Sequence, residues 1–103
     1  MRIPYGYTRA ETNQLTVNQQ QAGVVKSIYD LYLHGKSLGG IADTLKSQSI
    51  PSPTGNPNWT RAAIDKILSN GRYVPYVITE EQFWDVQLER ERRTIIEAID
   101  NRA

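Results

Sequence analysis

The chain has 103 residues, 39 % of them apolar, so it can form one domain with a modest core. It has no Cys and one His, which excludes disulfides, thiol catalysis and thiolate zinc sites, and we expect no metal and no other cofactor. No apolar run approaches the roughly 18 residues that span a bilayer, and no signal-peptide core opens the chain, so we expect a cytoplasmic protein without membrane contact.

The net charge of +1 conceals an uneven distribution along the chain. Residues 1–78 carry eight Lys or Arg and four acids, a net of +4, whereas residues 79–103 carry four Arg and seven acids, a net of −3. A basic body followed by an acidic segment favours an anionic partner on one side of the molecule. Most small domains with such a distribution bind no nucleic acid, so charge alone does not assign a function.

The first elements in chain order are an extended segment, a loop and a helix. Residues 3–8, IPYGYT, predict an extended or turn-like entry segment, and residues 8–14 are polar and predict a loop. A helix is expected over residues 19–34, with Asn18 as its N-cap and Gly35 ending it. Its predicted core face, flanked by Tyr29 and Leu33, consists of Val24, Val25, Ile28, Leu31 and Tyr32.

Two short amphipathic helices follow, and they form the most informative part of the chain. Ser37 is the predicted N-cap of the first, which ends near Gln48, and Thr60 is the predicted N-cap of the second, over residues 61–69. Residues 50–58, IPSPTGNPN, cannot be helical because three Pro and one Gly interrupt them. Gly39 and Gly40 weaken the first helix, which is tolerable if a phosphate backbone or another helix approaches closely, and chance variation at an exposed turn is the alternative.

The last elements are an extended tract and a long helix. Residues 73–78, YVPYVI, predict a short strand or strap, and Thr79 with Gln82 predicts a capping box for a helix that reaches or passes Asp100. The predicted fold is therefore a small, mainly α domain. It contains a helix-turn-helix-like pair, short extended or β segments at 3–8 and 73–78, and a long C-terminal helix.

Candidate catalytic groups are few. His34 stands at a helix end, where a favourable interaction with the helix dipole explains it better than general-base catalysis. The dipole of the last helix similarly explains Glu80 and Glu81 in its first turn. The sequence GKS at 35–37 lacks the strand and the upstream Gly of a phosphate-binding loop. We therefore predict no enzymatic activity for this chain.

The second helix of the pair carries the candidate binding residues. In a DNA-binding helix pair, outward residues at the N-terminal end of the second helix contact base edges in the major groove. Arg61 has the forked geometry that reads a guanine edge, and Thr60 can donate to phosphate if capping leaves its hydroxyl available. Asp65 either accepts from a cytosine amino group or pairs with Arg61 or Ser69. The other candidates from these elements are Ser37, Asn58, Lys66 and Arg72.

Each of these assignments has a plainer alternative. A charged residue on an outer helix face is commonly just solvated, and Trp59 is expected to be a core residue at the loop–helix junction rather than a platform for stacked bases. A different class of function is suggested by the last helix, where Trp84, Leu88, Ile95 and Ile99 have the spacing of a surface that docks a protein or self-associates. A free-standing transcriptional regulator that uses the same helix pair is the third possibility.

Several motifs, in this order and spacing, resemble the recombinase domain of large serine recombinases, the phage integrases and mobile-element recombinases of bacteria. They are PYGY at 4–7, YDLYLHGKSL, IADTL, IPSPTG, Trp-Thr-Arg at 59–61 and KILSN-x-x-Y ending at Tyr73. The resemblance covers residues 3–93. Three departures from the common family pattern are Asp65 where a basic residue is frequent, Asn70-Gly71 where Asn-Pro is frequent, and a short tract after Tyr73.

The resemblance implies that residues 1–103 form one DNA-binding domain of a larger recombinase of bacterial or phage origin. It implies double-stranded attachment-site DNA as the partner, contacted through the major groove, with Arg2 beside the minor groove. The catalytic serine domain and the Cys-containing zinc domain of the family have no counterpart in this sequence. The family also implies a parent protein that acts as a homodimer or tetramer.

Overall fold

The structure is a computed structural model that describes residues 3, 5–12, 14–56 and 58–100, with side chains described as far as residue 96. Four helices and one hairpin make up this part of the chain, which confirms the mainly α prediction. The strands are β1 (Tyr7–Arg9) and β2 (Leu15–Val17), and the helices are α1 (Gln19–Leu33), α2 (Leu38–Ser47), α3 (Arg61–Ser69) and α4 (Glu80–Asp100). A short 3₁₀ helix, Gly71–Tyr73, follows α3.

The first three helices begin at the predicted caps. The side-chain oxygen of Asn18 accepts a hydrogen bond from the Gln21 amide at 3.1 Å, which satisfies an amide that the start of a helix leaves unpaired. Ser37 and Thr60 cap α2 and α3 in the same way, at 3.0 and 3.1 Å. Each of these helices ends at, or one residue before, the position expected from the sequence.

The N-terminal segment is more regular than predicted. The loop expected over residues 8–14 was wrong at its start, because β1 continues to Arg9 and pairs antiparallel with β2, with Tyr7 opposite Val17 and Thr8 opposite Thr16. Each strand has only three residues, and their exposed Thr side chains bond to each other at 3.1 Å. Strands this short cannot show the alternation of apolar and polar residues by which a strand is recognised.

The extended segment predicted over residues 73–78 was also wrong. The chain there forms the 3₁₀ helix and a turn, in which the amides of Val77 and Ile78 both donate to the Tyr73 carbonyl, at 2.8 and 3.0 Å. Pro75 has no amide hydrogen to donate to a neighbouring strand. Three apolar residues of this segment, Tyr73, Val77 and Ile78, are buried as core residues of the turn, whereas Tyr76 is exposed.

Tyr29 lies at the centre of the core, although the sequence placed it beside the apolar face of α1. Its ring is fully buried, and its hydroxyl donates to the carbonyls of Ile67 and Leu68 at 2.9 and 3.2 Å. These carbonyls belong to the last turn of α3, where helix geometry leaves them without partners. The core cluster to which Tyr29 belongs draws on every helix and includes Val25, Ile28, Ile41, Leu45, Ile64, Tyr73 and Val86.

The start of α4 departs from the predicted capping box. Thr79 accepts from the Gln82 amide at 3.1 Å, as expected. The Gln82 side chain, however, does not turn back to Thr79; its amide donates to Asp30 of α1 at 2.7 Å. This bond attaches the first turn of α4 to the last turn of α1.

Candidate nucleic-acid interface

The loop between α2 and α3 is closed by Trp59. Its indole nitrogen donates to the Ile50 carbonyl at 2.9 Å, and its ring, only 7 % exposed, meets Tyr5 edge-on with ring centres 5.7 Å apart. Within the loop, the amide of Ser52 donates to the Asn56 carbonyl at 2.9 Å. The prediction that Trp59 is a core residue is confirmed, and its burial fixes where α3 begins relative to α2.

The exposed face of α3 has small residues at its centre and cations on both sides. Ile64, Ile67 and Leu68 are buried, whereas Arg61, Ala62, Lys66 and Ser69 are exposed. At about 100° per residue, Asp65, Ser69 and Ala62 lie, in that order, between the directions of Arg61 and Lys66. Such a face can approach a flat or grooved partner closely while its two cations reach sideways.

Asp65 is engaged by α4. Its carboxylate accepts from the guanidinium of Arg90 at 2.9 Å, so the predicted pairing with Arg61 or Ser69 was wrong. Arg90 also donates to Gln87, whose amide reaches the Leu68 carbonyl. The ion pair therefore ties α3 to α4 and neutralises the acid on α3.

An open groove of about 500 Å³ runs along the other side of α3. Its walls are the entry segment at Tyr5, the loop at 52–58 and the outer side of α3, and it brings three predicted site residues together: Asn58, Thr60 and Lys66. Thr60 accepts the Ala63 amide, which leaves its hydroxyl hydrogen available for a phosphate oxygen. No acidic side chain of the described residues lines the groove.

The sequence interpretation missed the contributions of Tyr5, Asn56 and Asn70 to this groove. Asn56 lies in the Asn-rich loop that the sequence marked, and its side chain accepts the Asn58 amide at 2.9 Å. Tyr5 and Asn70 come from segments far from the loop in sequence, so local patterns gave no signal for them.

Arg61 lies on the opposite side of α3, against the first turn of α2. A Cβ atom on Gly39 would lie 3.2 Å from both Nε and Nη2 of Arg61, so the missing side chain gives the guanidinium its space. The sequence left two interpretations of Gly39 and Gly40 open, a close approach by phosphate or another helix and chance variation at an exposed turn. The close neighbour of Gly39 is a side chain of the second helix, and that of Gly40 is the capping hydroxyl of Ser37.

The remaining predicted site residues are dispersed. Ser37 lines a second cavity with Asp65, Tyr32 and Arg90 rather than the groove. Arg72 is exposed on the 3₁₀ helix beyond the C-terminal end of α3, whereas Arg61 is the first residue of α3. Arg2 lies outside the described residues.

Two features are absent from the described residues. Their His, Asp and Glu side chains form no group of three or more that could hold a metal ion. Among the helices described, none combines the length and apolarity needed to cross a membrane.

The fold is that of a small, mainly helical domain organised around a helix-turn-helix-like pair. Residues 19–98 match the model of the Recombinase family, and the chain belongs to that family. The resemblance drawn from the sequence motifs is confirmed at this level. No curated protein matches the chain.

Two solved structures share the fold. One is a crystal structure of an LSR–DNA complex, with 24 % identity and a TM-score of 0.70 over 86 % of this chain. The other concerns the sequence requirements of the Listeria innocua prophage attP site, with 24 % identity and a TM-score of 0.69 over 85 % of this chain. The present chain spans 32 % and 42 % of those two proteins.

Proposed function

We propose that this chain is a sequence-reading, double-stranded DNA-binding module of a site-specific serine recombinase. The observation that carries the proposal is the exposed face of α3, where two cations flank small residues and the acid is neutralised by Arg90. The adjoining groove offers hydroxyl, amide and ammonium donors without a carboxylate. Phosphate oxygens accept such donors, and phosphate contacts fix the register of a protein on DNA.

The proposed binding mode places the N-terminal half of α3 in the major groove. Ala62, with its small side chain, lets the helix approach the base edges. Arg61 then leaves its position over Gly39 and makes two hydrogen bonds to a guanine edge, the commonest specific contact in the major groove. Lys66, Asn58 and Thr60 contact the backbone of one strand from the groove side. Asp65 is proposed to keep Arg90 in place rather than to read a base.

Family membership and the shared fold support this proposal independently of the charges. One structural relative is described as part of an LSR–DNA complex, and this chain covers a third of that protein. We therefore propose that attachment-site DNA is the partner and that the parent protein supplies the chemistry. In this chain, the Nδ1 atom of His34 lies 2.7 Å from the Asp30 carbonyl at the end of α1, which is a structural contact rather than a catalytic one.

The test begins with selection of duplexes from a random library by the intact chain, followed by anisotropy titration of a selected duplex. Arg61→Ala should weaken binding to that duplex by about 10- to 100-fold, equivalent to 1–3 kcal/mol, and should relax the preference at one base pair. Lys66→Ala should weaken binding to the selected duplex and to unrelated duplexes by the same factor, because a phosphate contact carries no sequence information.

Lys26→Ala is the matched control, since Lys26 is an exposed cation of α1 that lines neither the groove nor the face of α3. This substitution should leave the affinities for the selected and the unrelated duplexes within about a factor of two of those of the parent chain. The proposal fails if no duplex is enriched, or if Arg61→Ala and Lys26→Ala have the same effect on the selected duplex.

A further inference from the structure

The outer side of α4 carries large apolar side chains that the domain does not cover. Trp84 is 56 % exposed, Leu88 64 % and Ile95 54 %, and we call these three residues the outer stripe. Ile99, the fourth residue of the predicted docking surface, has its side chain outside the described part. Clusters of exposed large apolar residues are uncommon on small monomeric domains and commonly mark contact surfaces.

The outer stripe is a single line on the helix. At about 100° per residue, Trp84, Leu88 and Ile95 fall within about 40° of one another. The face that contacts the body of the domain lies about 180° away, where Val86 is fully buried and Arg93 donates to the carbonyls of Tyr32 and Lys36 at 2.7 and 2.8 Å. The helix is therefore apolar on two opposite sides, and only one side has a partner among the described residues.

Charges beside the outer stripe are arranged unequally along α4. The first two turns carry Glu80, Glu81 and Asp85, with no basic residue among them. Arg92, two turns further on, lies on the same flank as Asp85 and stays 62 % exposed while it pairs with Glu89. Two parallel copies of α4 would bring their acidic ends together, whereas two antiparallel copies would place the acidic end of each beside Arg92 of the other.

We propose that the outer stripe binds the outer stripe of a second copy of this chain, with the two α4 helices antiparallel. In a pairing centred between Leu88 and Glu91, Trp84 of each copy packs near Ile95 of the other. In an antiparallel pair, the side of one helix that carries Asp85 and Arg92 faces the same side of the other helix. Asp85 of each copy therefore lies within one turn of Arg92 of the other. Glu91, which interrupts the stripe, limits the strength of the pairing and opposes a shifted register.

The interface is small, which sets its expected strength. Three large side chains per helix, with their neighbours, bury less than the roughly 1,200 Å² typical of stable complexes. We therefore expect a dimer with a dissociation constant on the order of 100 micromolar, which becomes populated where two copies are held close together. The pairing involves neither α3 nor the groove, so it is independent of the proposed DNA binding and can fail or succeed by itself.

Sedimentation equilibrium of the intact chain, without DNA, over a range of concentrations is the first test. The chain should show a concentration-dependent dimer, and Leu88→Asp should weaken it at least about tenfold because the stripe then gains a second carboxylate. Leu15→Asp is the matched control: Leu15 is 47 % exposed on β2, so the same substitution there should leave the dimer unchanged. Circular dichroism establishes that each variant keeps its helices.

Charge exchange tests the antiparallel orientation. Asp85→Arg alone and Arg92→Glu alone each place like charges together in the dimer and should each weaken self-association about three- to tenfold. An equimolar mixture of these two variants should dimerise like the parent chain, since every flank pair in the mixed dimer is again oppositely charged.

The proposal is overturned if the parent chain stays monomeric up to several hundred micromolar, or if Leu88→Asp and Leu15→Asp affect the dimer equally. A dimer that the charge-exchange mixture does not restore would contradict the antiparallel arrangement. If the chain is monomeric and binds apolar peptides or vesicles through Trp84, the outer stripe binds one of these partners and not a second copy of the chain.

Discussion

A single hydroxyl group, that of Tyr29, connects α1 to the end of α3. Replacing Tyr29 with Phe keeps the buried ring and removes the donor to the carbonyls of Ile67 and Leu68. Each carbonyl keeps a second donor, the Asn70 amide for Ile67 and the Gln87 side chain for Leu68, so we expect the free energy of unfolding to fall by only about 1 kcal/mol, the contribution of one buried hydrogen bond. Urea denaturation measures this as a lower midpoint with an unchanged slope.

Tyr76→Phe provides the comparison for Tyr29→Phe, because Tyr76 is 74 % exposed and its hydroxyl faces water. Its loss should change the unfolding free energy by less than about 0.5 kcal/mol. If the two substitutions had equal effects, the buried hydroxyl of Tyr29 would contribute nothing to the free energy of unfolding, and only its ring would stabilise the fold.

Asp65 shows why the partner of a single residue was not predictable from the sequence. Local patterns offer partners three or four positions away, which for Asp65 are Arg61 and Ser69. The actual partner, Arg90, lies 25 positions later and is brought to α3 by the packing of another helix. The burial of Trp59 was easier to predict, because a large aromatic side chain is seldom left in solvent and its burial follows from hydrophobicity alone.

At the scale of whole elements, arginines supply several of the polar contacts that hold α4 to the body of the domain. Arg93 donates to two carbonyls at the end of α1 and the following turn, and its guanidinium lies 3.8 Å from the centre of the Tyr32 ring. Glu89 orients it, accepting from Arg93 and from Arg92 at 2.6 and 2.8 Å. These polar contacts add to the apolar packing of Val86, which is fully buried in the core.

Hydrogen bonds from Arg92 and Arg93 lower the pKa of Glu89 from 4.5 to about 2. Between these two values the unfolded chain binds a proton at this position and the folded chain does not, so the folded state loses stability as the pH falls through this window. Glu89→Gln should therefore make the unfolding free energy less dependent on pH between about 4.5 and 2. Urea titrations of both proteins at several pH values provide the measurement.

At pH 7 the same variant should also be less stable than the parent chain, since Arg93 loses its charged partner. Asp85→Asn is a suitable control, because none of the ion pairs within the described residues involves Asp85. A pH dependence that Glu89→Gln leaves unchanged would show that other carboxyl groups govern acid stability.

The helices were predictable as elements because each combines a capping residue with an apolar periodicity, two signals that agree. The conformation of residues 73–78 was not predictable in this way, since a continuous apolar run fits a strand and a buried turn equally well. The groove illustrates the same limit for the candidate site. Its walls come from the entry segment, the α2–α3 loop and α3, and their proximity depends on tertiary packing rather than on any local pattern.

For the molecule as a whole, the basic and acidic parts of the sequence correspond to different structural roles. The cations proposed to meet DNA, Arg61 and Lys66, lie on α3, whereas on α4 Glu89 pairs with two arginines and Glu80 and Glu81 lie in the first turn. The net charge of +1 therefore says little about the field near α3. Binding to a polyanion should depend on this local charge and on salt.

Salt dependence tests this view of the whole molecule. If the positive charges of Lys66 and Arg61 both lie beside the phosphate backbone, the logarithm of the binding constant should fall linearly with the logarithm of salt concentration, with a slope of about −2. Lys66→Ala should reduce the magnitude of the slope by about one, whereas Lys26→Ala should leave it unchanged. A slope near zero for the parent chain, measured by anisotropy from low to physiological salt, would mean that the cations beside α3 do not contact phosphate.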